Sequence, residues 1–285
     1  MSVTLREARP ADAATCGPIC YEAFKAINTE HNFPVDFPNA EVATGLLSMM
    51  IAHPQMHVVV AERDGRIIGS NAMDERSPIG GIGPITVDPT TQNSGVGRQL
   101  MRYMLDRATS RNFPGVRLVQ AAFHNRSLSL YTKLGFDPRE PLSCVQGAPL
   151  GKKIPGLQVR PARATDLAEC DRVCARVHGH ARSGELRDAV QHGSATVVER
   201  GDQIVGYATG IAFFSHAVAE TNEGLMALIA AAPAFLGSGF LVPTRNAELL
   251  RWCLNQGLRI VQPMTLMSVG LYNEPRGAFL PSIAF

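Results

Sequence analysis

At 285 residues the chain is long for one compact domain and comfortable for two, each large enough to bury its own core. With 45% hydrophobic and 18% charged residues it reads as globular, and a net charge of +2 with scattered Lys and Arg offers no surface for nucleic acid or an anionic membrane. Six cysteines without a secretion signal or zinc spacing predict neither disulfides nor a metal site.

The N-terminus lacks the apolar core of a signal peptide, which predicts a cytoplasmic protein. Leu5 to Cys20 is echoed by Val159 to Cys174, with seven coincidences in sixteen positions, among them Arg6/Arg160, Asp12/Asp166, Cys16/Cys170 and Cys20/Cys174. Such a match marks an internal duplication. In each copy a short strand meets Asp12 or Asp166 as a helix N-cap. The paired cysteines, four apart on one helix face, read as core residues rather than ligands.

The first helix is expected to end near Asn28. A proline-rich loop, Thr29 to Pro38, then leads to a second helix over Ala40 to Ala52. That loop carries Glu30, His31, Phe33, Asp36 and Phe37, a mix suited equally to lining a substrate pocket and to an ordinary exposed connection. Next, Asp64-Gly65 joins two strands as a hairpin. Its echo around Glu199, Arg200 and Gly206 lies 17 residues closer to the start of its copy, a deletion expected on the proline-rich loop and second helix.

Ile82 to Val87 reads as one apolar strand entering Gln92-Asn-Ser-Gly-Val-Gly97 and then a helix. Its apolar positions Val96, Leu100, Met104 and Ala108 are four apart and predict one buried face. Several free N–H groups at a helix N-terminus make an anion site, and the glycines let a pyrophosphate approach; the alternative is a helix cap with incidental glycines. The loop has neither the Lys of a Walker motif nor the G-x-G-x-x-G spacing of a dinucleotide fold. A buried strand, Val116 to Phe123, and a short helix, Arg126 to Leu134, complete the copy.

In the second copy, Leu225 to Val242 is uncharged but broken by Pro233, Gly237, Ser238 and Gly239. It predicts a short helix, a turn and a buried strand rather than a membrane span. Gly239 to Pro243 reads as the counterpart of Ile82 to Val87, followed by a helix with no glycine loop. The apolar Ala278 to Phe285 predicts burial against a domain or a second chain, so a homodimer is one expectation.

The strand Ile85-Thr-Val87, the loop Gln92-x-x-Gly95-x-Gly97 and the ending Leu130-Tyr131-x-x-x-Gly135-Phe136, in that order behind the hairpin, resemble the GNAT (N-acetyltransferase) superfamily. The resemblance implies an α/β (α+β) fold of two tandem acetyltransferase-type domains, each a mixed, mostly antiparallel sheet flanked by helices. It divides the chain at 1–145 and 157–285 with a linker at 146–156, the second domain degenerate. It implies an acetyl-CoA-dependent N-acetyltransferase with no metal, acting on a small-molecule or peptide amine.

By motif, the backbone of Ile85, Thr86 and Val87 would pair with the pantetheine arm. The N–H groups of Asn93, Ser94, Gly95, Val96, Gly97 and Arg98 would hold the pyrophosphate, with Gln92 closing the loop. Tyr131 would protonate the departing thiolate and the Val87 N–H would polarise the thioester carbonyl. The family usually has Asn seven residues before the tyrosine. Here His124 stands there with Asn125 beside it, and contact with the pantetheine arm, action as a base and a structural strand end all remain open. The family's frequent Glu on the fourth strand is missing, leaving Asp74, Glu75 or a water chain as base. Two further readings stand beside the enzyme: a non-catalytic acyl-CoA sensor, and a structural dimerisation protein.

Overall fold

A computed structural model describes residues 3–92 and 94–284. The first copy runs β1 (Thr4–Glu7), α1 (Ala13–Glu30), α2 (Ala40–Ala52), β2 (Met56–Arg63), β3 (Arg66–Asp74), β4 (Gly80–Ile82), β5 (Thr86–Val87), α3 (Val96–Ser110), β6 (Gly115–Ala121), α4 (Asn125–Lys133) and β7 (Asp137–Gln146). The second runs β8 (Gln158–Pro161), α5 (Leu167–His178), α6 (Ser183–Gln191), β9 (Thr196–Arg200), β10 (Gln203–Ala208), β11 (Ala217–Ala219), α7 (Asn222–Ala231), β12 (Phe240–Pro243), α8 (Ala247–Asn255), β13 (Arg259–Gly270) and β14 (Ala278–Leu280). No described helix is long and apolar enough to cross a membrane.

The duplication is visible in the ion pairs. Arg6 reaches Asp12 at 2.7 Å and Glu62 at 2.6 Å, and Arg160 reaches Asp166 at 2.7 Å and Glu199 at 2.6 Å. The two aspartates do not cap α1 and α5 as expected. Each accepts backwards, from the backbone N–H of Arg9 or Arg163, and so closes the turn that precedes its helix. The four repeated cysteines are fully buried, and burial raises the thiol pKa of Cys16 to about 11 and of Cys170 to about 12.

Asp64 and Gly65 both have positive φ, 53° and 74°, the backbone that a two-residue hairpin of this hand requires. The helix before the proline-rich loop runs two residues beyond Asn28, and Asn32 at φ 60° turns the chain out of it. The second copy keeps its second helix, shortened from 13 residues in α2 to nine in α6, and the deletion is shared with the loop and with the end of the first helix, 18 residues in α1 and 12 in α5.

Two sheets result. One has the order β1-β2-β3-β4-β6-β13-β7-β12, with β5 also on β3, and the other β14-β11-β10-β9-β8. Apart from the parallel β4/β6 contact the pairings are antiparallel. The copies interleave. β6 and β7 of the first are separated by β13 of the second, which pairs with both, and β12 pairs with the far side of β7. The larger sheet therefore draws on both sequence copies.

This topology corrects the register expected for the second copy. Gly239 to Pro243 forms β12, which with α8 and β13 repeats the strand, helix and strand of β6, α4 and β7. The counterpart of β5 is β11: Gly206 pairs with Ala219 as Gly69 pairs with Val87. Beyond β11, α7 starts behind Thr221, whose own side chain accepts from Gly224 N–H, and Glu223 sits in its first turn. The edge of β11 that faces away from β10 is occupied by β14, Ala217 opposite Leu280 and Ala219 opposite Ala278. The apolar C-terminal stretch thus lies against its own chain.

The core of the second copy holds His178 and His216, both buried, with their Nε2 atoms 3.3 Å apart. Burial, and then the neighbouring Arg182, push both imidazoles well below their ordinary pKa. One neutral ring can donate to the other; two protonated rings would set N–H against N–H. Below about pH 6.5 the unfolded chain therefore binds protons that the folded chain refuses, at a cost of ~1.4 kcal/mol per histidine per pH unit. Stability is expected to be flat above neutrality and to fall as pH drops, with the melting temperature lower by roughly 5 °C or more at pH 5 than at pH 7. Calorimetric scans against pH check this, and a melting temperature unchanged down to pH 5 would contradict neutral buried histidines.

Candidate active site

The apolar run expected as one strand is two. Gly83, at φ 142°, and Pro84, which has no N–H to give a ladder, break it between β4 and β5. β4 touches β6 only through Gly80 with Val116 and Gly81 with Arg117, and past the break β5 pairs with β3 alone. The sheet therefore splays between β5 and β6. A cavity of ≈ 380 Å³ occupies the splay, lined by both strand edges, the start of α3, α4, the α1–α2 loop and residues of the second copy.

One strand edge is left with unused backbone. Asp88 N–H donates to Ile68 carbonyl at 2.9 Å, toward β3. Because successive N–H groups of a strand point to opposite edges, the N–H of Val87 points toward β6 and the cavity. Ile85 and Thr86 line the same wall.

The loop that follows is tied down from below. Asp88 accepts from both the N–H and the hydroxyl of Thr90, which hold its carboxyl below the ordinary range, and it pairs with Arg66 at 3.0 Å. Gln92 Nε2 reaches back to the Val87 carbonyl at 3.4 Å, and the Ser94 hydroxyl donates to Thr91 carbonyl at 2.6 Å. Gly95 at φ 81° delivers the chain into α3, a backbone that side chains strain to adopt. The first backbone bond at this end of the helix runs from Gln99 N–H to Gly95 carbonyl. Among the described residues, the N–H groups of Val96, Gly97 and Arg98 have no acceptor one turn back, and the helix dipole adds to them. Val96, Leu100, Met104 and Ala108 are buried as the periodicity predicts.

The opposite wall is α4. Its register puts His124, Ser127 and Tyr131 three and four residues apart on one side, and all three line the cavity. The Ser127 hydroxyl lies 2.8 Å from His124 Nδ1. Burial pushes the Tyr131 phenol up to about 12, with Ser127 beside it working the other way, so the proton stays on at neutral pH. Burial, followed by the charge of Arg126, drops His124 to about 4, so its ring is neutral.

Of the residues expected at the site, Ile85, Thr86, Val87, Gln92, residues 94–98, His124 and Tyr131 surround this one cavity. Asn93 lies outside the described residues. Asn125 is exposed at the start of α4 and does not line the cavity, whereas Arg126 does. Asp74 and Glu75 are spent on structure: Asp74 grips Arg76 at 2.6 Å, and Glu75 holds Arg107 and Arg111. Neither faces the cavity.

Sequence reasoning missed several residues. Ser127 was within reach, since its spacing from His124 and Tyr131 is helical. Gln120, Phe213, Phe214, Ile283 and Ala284 also line the cavity, and they come from a strand edge and from the second copy, where no motif marks them. Asp36, one of several polar residues in the proline-rich loop, lines the cavity too. Its Oδ1 accepts from Ser238 Oγ and Gln262 Nε2, each at 3.2 Å. Some of its surface faces the cavity, yet little water surrounds the carboxyl. That desolvation raises its pKa against the bonds from Gln262, Asn28 and Ser238.

Residues 21–136, somewhat under half of the chain, match the model of the Acetyltransferase (GNAT) family. A mycothiol acetyltransferase of Thermomonospora curvata is 38% identical over 78 residues, which cover 27% of this chain and 26% of that protein. An IAA acetyltransferase of Azospirillum brasilense is 28% identical over 93 residues, covering 32% of this chain and 61% of its own. The match thus spans about a quarter of the first relative and under two thirds of the second. In overall fold the chain is similar to a provisionally named acetyltransferase of Pyrococcus horikoshii, with TM-score 0.75 and 17% identity over 97% of this chain and 94% of that one. It is also similar to a tandem GNAT protein from the clavulanic acid biosynthesis pathway, with TM-score 0.57 and 13% identity over 94% of this chain and 98% of that one. The architecture is accordingly a tandem α/β pair of acetyltransferase-type units with mostly antiparallel sheets.

Proposed function

We propose that the chain is an N-acetyltransferase that uses acetyl-CoA and works from the cavity of its first copy. One observation carries this reading: the splay between β5 and β6 brings the inward N–H of Val87, the donors that open α3 and the protonated Tyr131 to a single cavity. The residues fit the donor. An extended pantetheine arm suits the unpaired edge of β5, and a pyrophosphate suits the N–H groups of residues 96–98, with exposed Arg98 and Arg126 adding positive charge nearby.

When bound, acetyl-CoA supplies an activated acetyl group. The chain's own part is to align the thioester carbonyl on Val87 N–H and to give the leaving sulfur the Tyr131 proton. Ser127 and His124 stand in line to hold that phenol in place. An amine attacking directly needs no nucleophile from the protein.

The second copy is a scaffold in this reading. Its helix N-terminus is already capped by Thr221 and carries Glu223, and β14 covers the strand edge that in the first copy stays open. One acetyl-CoA per chain is expected by titration calorimetry, and amine-dependent release of free thiol is expected in a turnover assay. Two donors bound per chain would move the site assignment. Donor binding with no thiol release from a broad amine panel would favour the sensor reading instead.

A further inference from the structure

Beyond the donor side, the cavity has a second half whose chemistry differs. Four phenylalanine rings run through it from one copy to the other: Phe24 to Phe37 at 5.9 Å, Phe37 to Phe214 at 6.3 Å and Phe214 to Phe213 at 5.7 Å between centroids. Phe213 is buried, and Phe214, 39% exposed, forms part of the cavity wall. Asp36, beside Phe37 in the same loop, is the carboxylate of this half, and it is fastened from the second copy through Ser238 and Gln262. Two donors on its Oδ1 fix a carboxylate that would otherwise swing with its loop.

A further feature points to a ligand. Gln120 on β6 lines the cavity and is 95% buried, and neither its Nε2 nor its Oε1 has a hydrogen-bond partner. A buried amide left unpaired on both sides is costly, and it signals a polar group that arrives with a guest.

We propose that the acceptor is a small cationic amine on an apolar, preferably aromatic body, its ammonium received by Asp36, whose carboxylate takes the proton the nitrogen must lose before it attacks as the free base, and its body held among Phe24, Phe37, Phe213 and Phe214. The proposal deepens the transferase reading and rests on it for the word acceptor. A carboxylate beside aromatic faces attracts a cation twice over, by charge and through the ring quadrupoles. The same carboxylate repels any guest with an anionic group next to its amine, so free amino acids are discriminated against. The opposite sign of Arg98 and Arg126 on the donor side gives the anionic donor and the cationic acceptor separate ends. Desolvation that burdens the Asp36 anion is relieved when an ammonium sits against it, so selectivity for charge is built into its burial.

The test is titration calorimetry on the full chain with 2-phenylethylamine, phenylalanine and 2-phenylethanol, with and without saturating coenzyme A. The amine is expected to bind at least about 10-fold more tightly than either analogue, the difference a charge-assisted contact provides. Asp36→Asn, which keeps the shape and the acceptor for Ser238 and Gln262, is expected to remove that preference while acetyl-CoA affinity stays within about threefold. Phe214→Ala, at a partly exposed position, is expected to weaken the amine as well. Phenylalanine binding as tightly as the amine, no amine binding in either condition, or an unaltered preference in Asp36→Asn would each overturn the proposal. Acetyl-CoA titrated into the same samples is judged separately: its failure to bind counts against the transferase reading, whereas the amine series still decides the role of Asp36.

Discussion

Gly97→Asp is expected to lower acetyl-CoA affinity by at least about 100-fold, or ~2.7 kcal/mol, in a protein that folds normally. A Cβ at Gly97 would meet only Leu130 Cδ2 at 3.7 Å and Val87 Cγ2 at 3.9 Å, ordinary contacts. An acidic residue in the first turn suits a helix, because it neutralises the positive end of the dipole. The same carboxylate would stand where a pyrophosphate needs the N–H groups of α3, so stability and binding part company. Gly97→Ala provides the control, with near-normal binding expected. Gly95→Asp would test less cleanly, because φ 81° strains any side chain there and the loop itself would shift. Calorimetry with acetyl-CoA decides, and an affinity within about threefold of the parent in a folded Gly97→Asp protein would remove the phosphate from this loop.

Tyr131→Phe is expected to reduce kcat by about 100-fold or more, the usual scale of a lost general acid, with acetyl-CoA affinity little altered. The ring itself would remain packed, with its centroid 6.2 Å from that of Phe136, so a missing proton is the main change. Raised to about 12, the phenol keeps its proton throughout the neutral range, and this suits a donor to a departing thiolate. A loss in kcat with KM unchanged is the signature of an interaction made in the transition state. Full turnover in Tyr131→Phe would require the thiolate to take its proton from elsewhere, with His124 and Ser127 as the next groups on that wall.

What the sequence made legible is what depends on neighbours a few positions away. The spacing of Val96, Leu100, Met104 and Ala108 specified the buried face of α3, and Asp64-Gly65 specified a hairpin, since helical period and turn geometry are local. Pro84 in an apparent strand was a readable sign of the break that opens the cavity, although apolarity on both sides masked it. In the second copy Gly239 offered a false anchor: without a glycine loop to fix the register, a later strand passed for the fourth one. Asp36 stood out only as one polar residue among several, because the partners that fix it lie 202 and 226 residues away. The partner of β6 was likewise invisible, for an alternating strand pattern says which face is buried but not which strand lies alongside.

The interleaving of β6, β13, β7 and β12 also constrains how this protein comes into being. As the nascent chain leaves the ribosome, β6 and β7 emerge long before β13, and between them lies a gap that no earlier segment fills. The first copy must therefore wait with two unpaired edges until Arg259–Gly270 has been synthesised, and those edges invite pairing with a neighbouring chain. The proposed catalytic unit, whose motifs all lie before residue 137, is thus completed only once Arg259–Gly270 has been made. Gene fragments ending at the repeat boundary inherit a sheet with its middle strand absent.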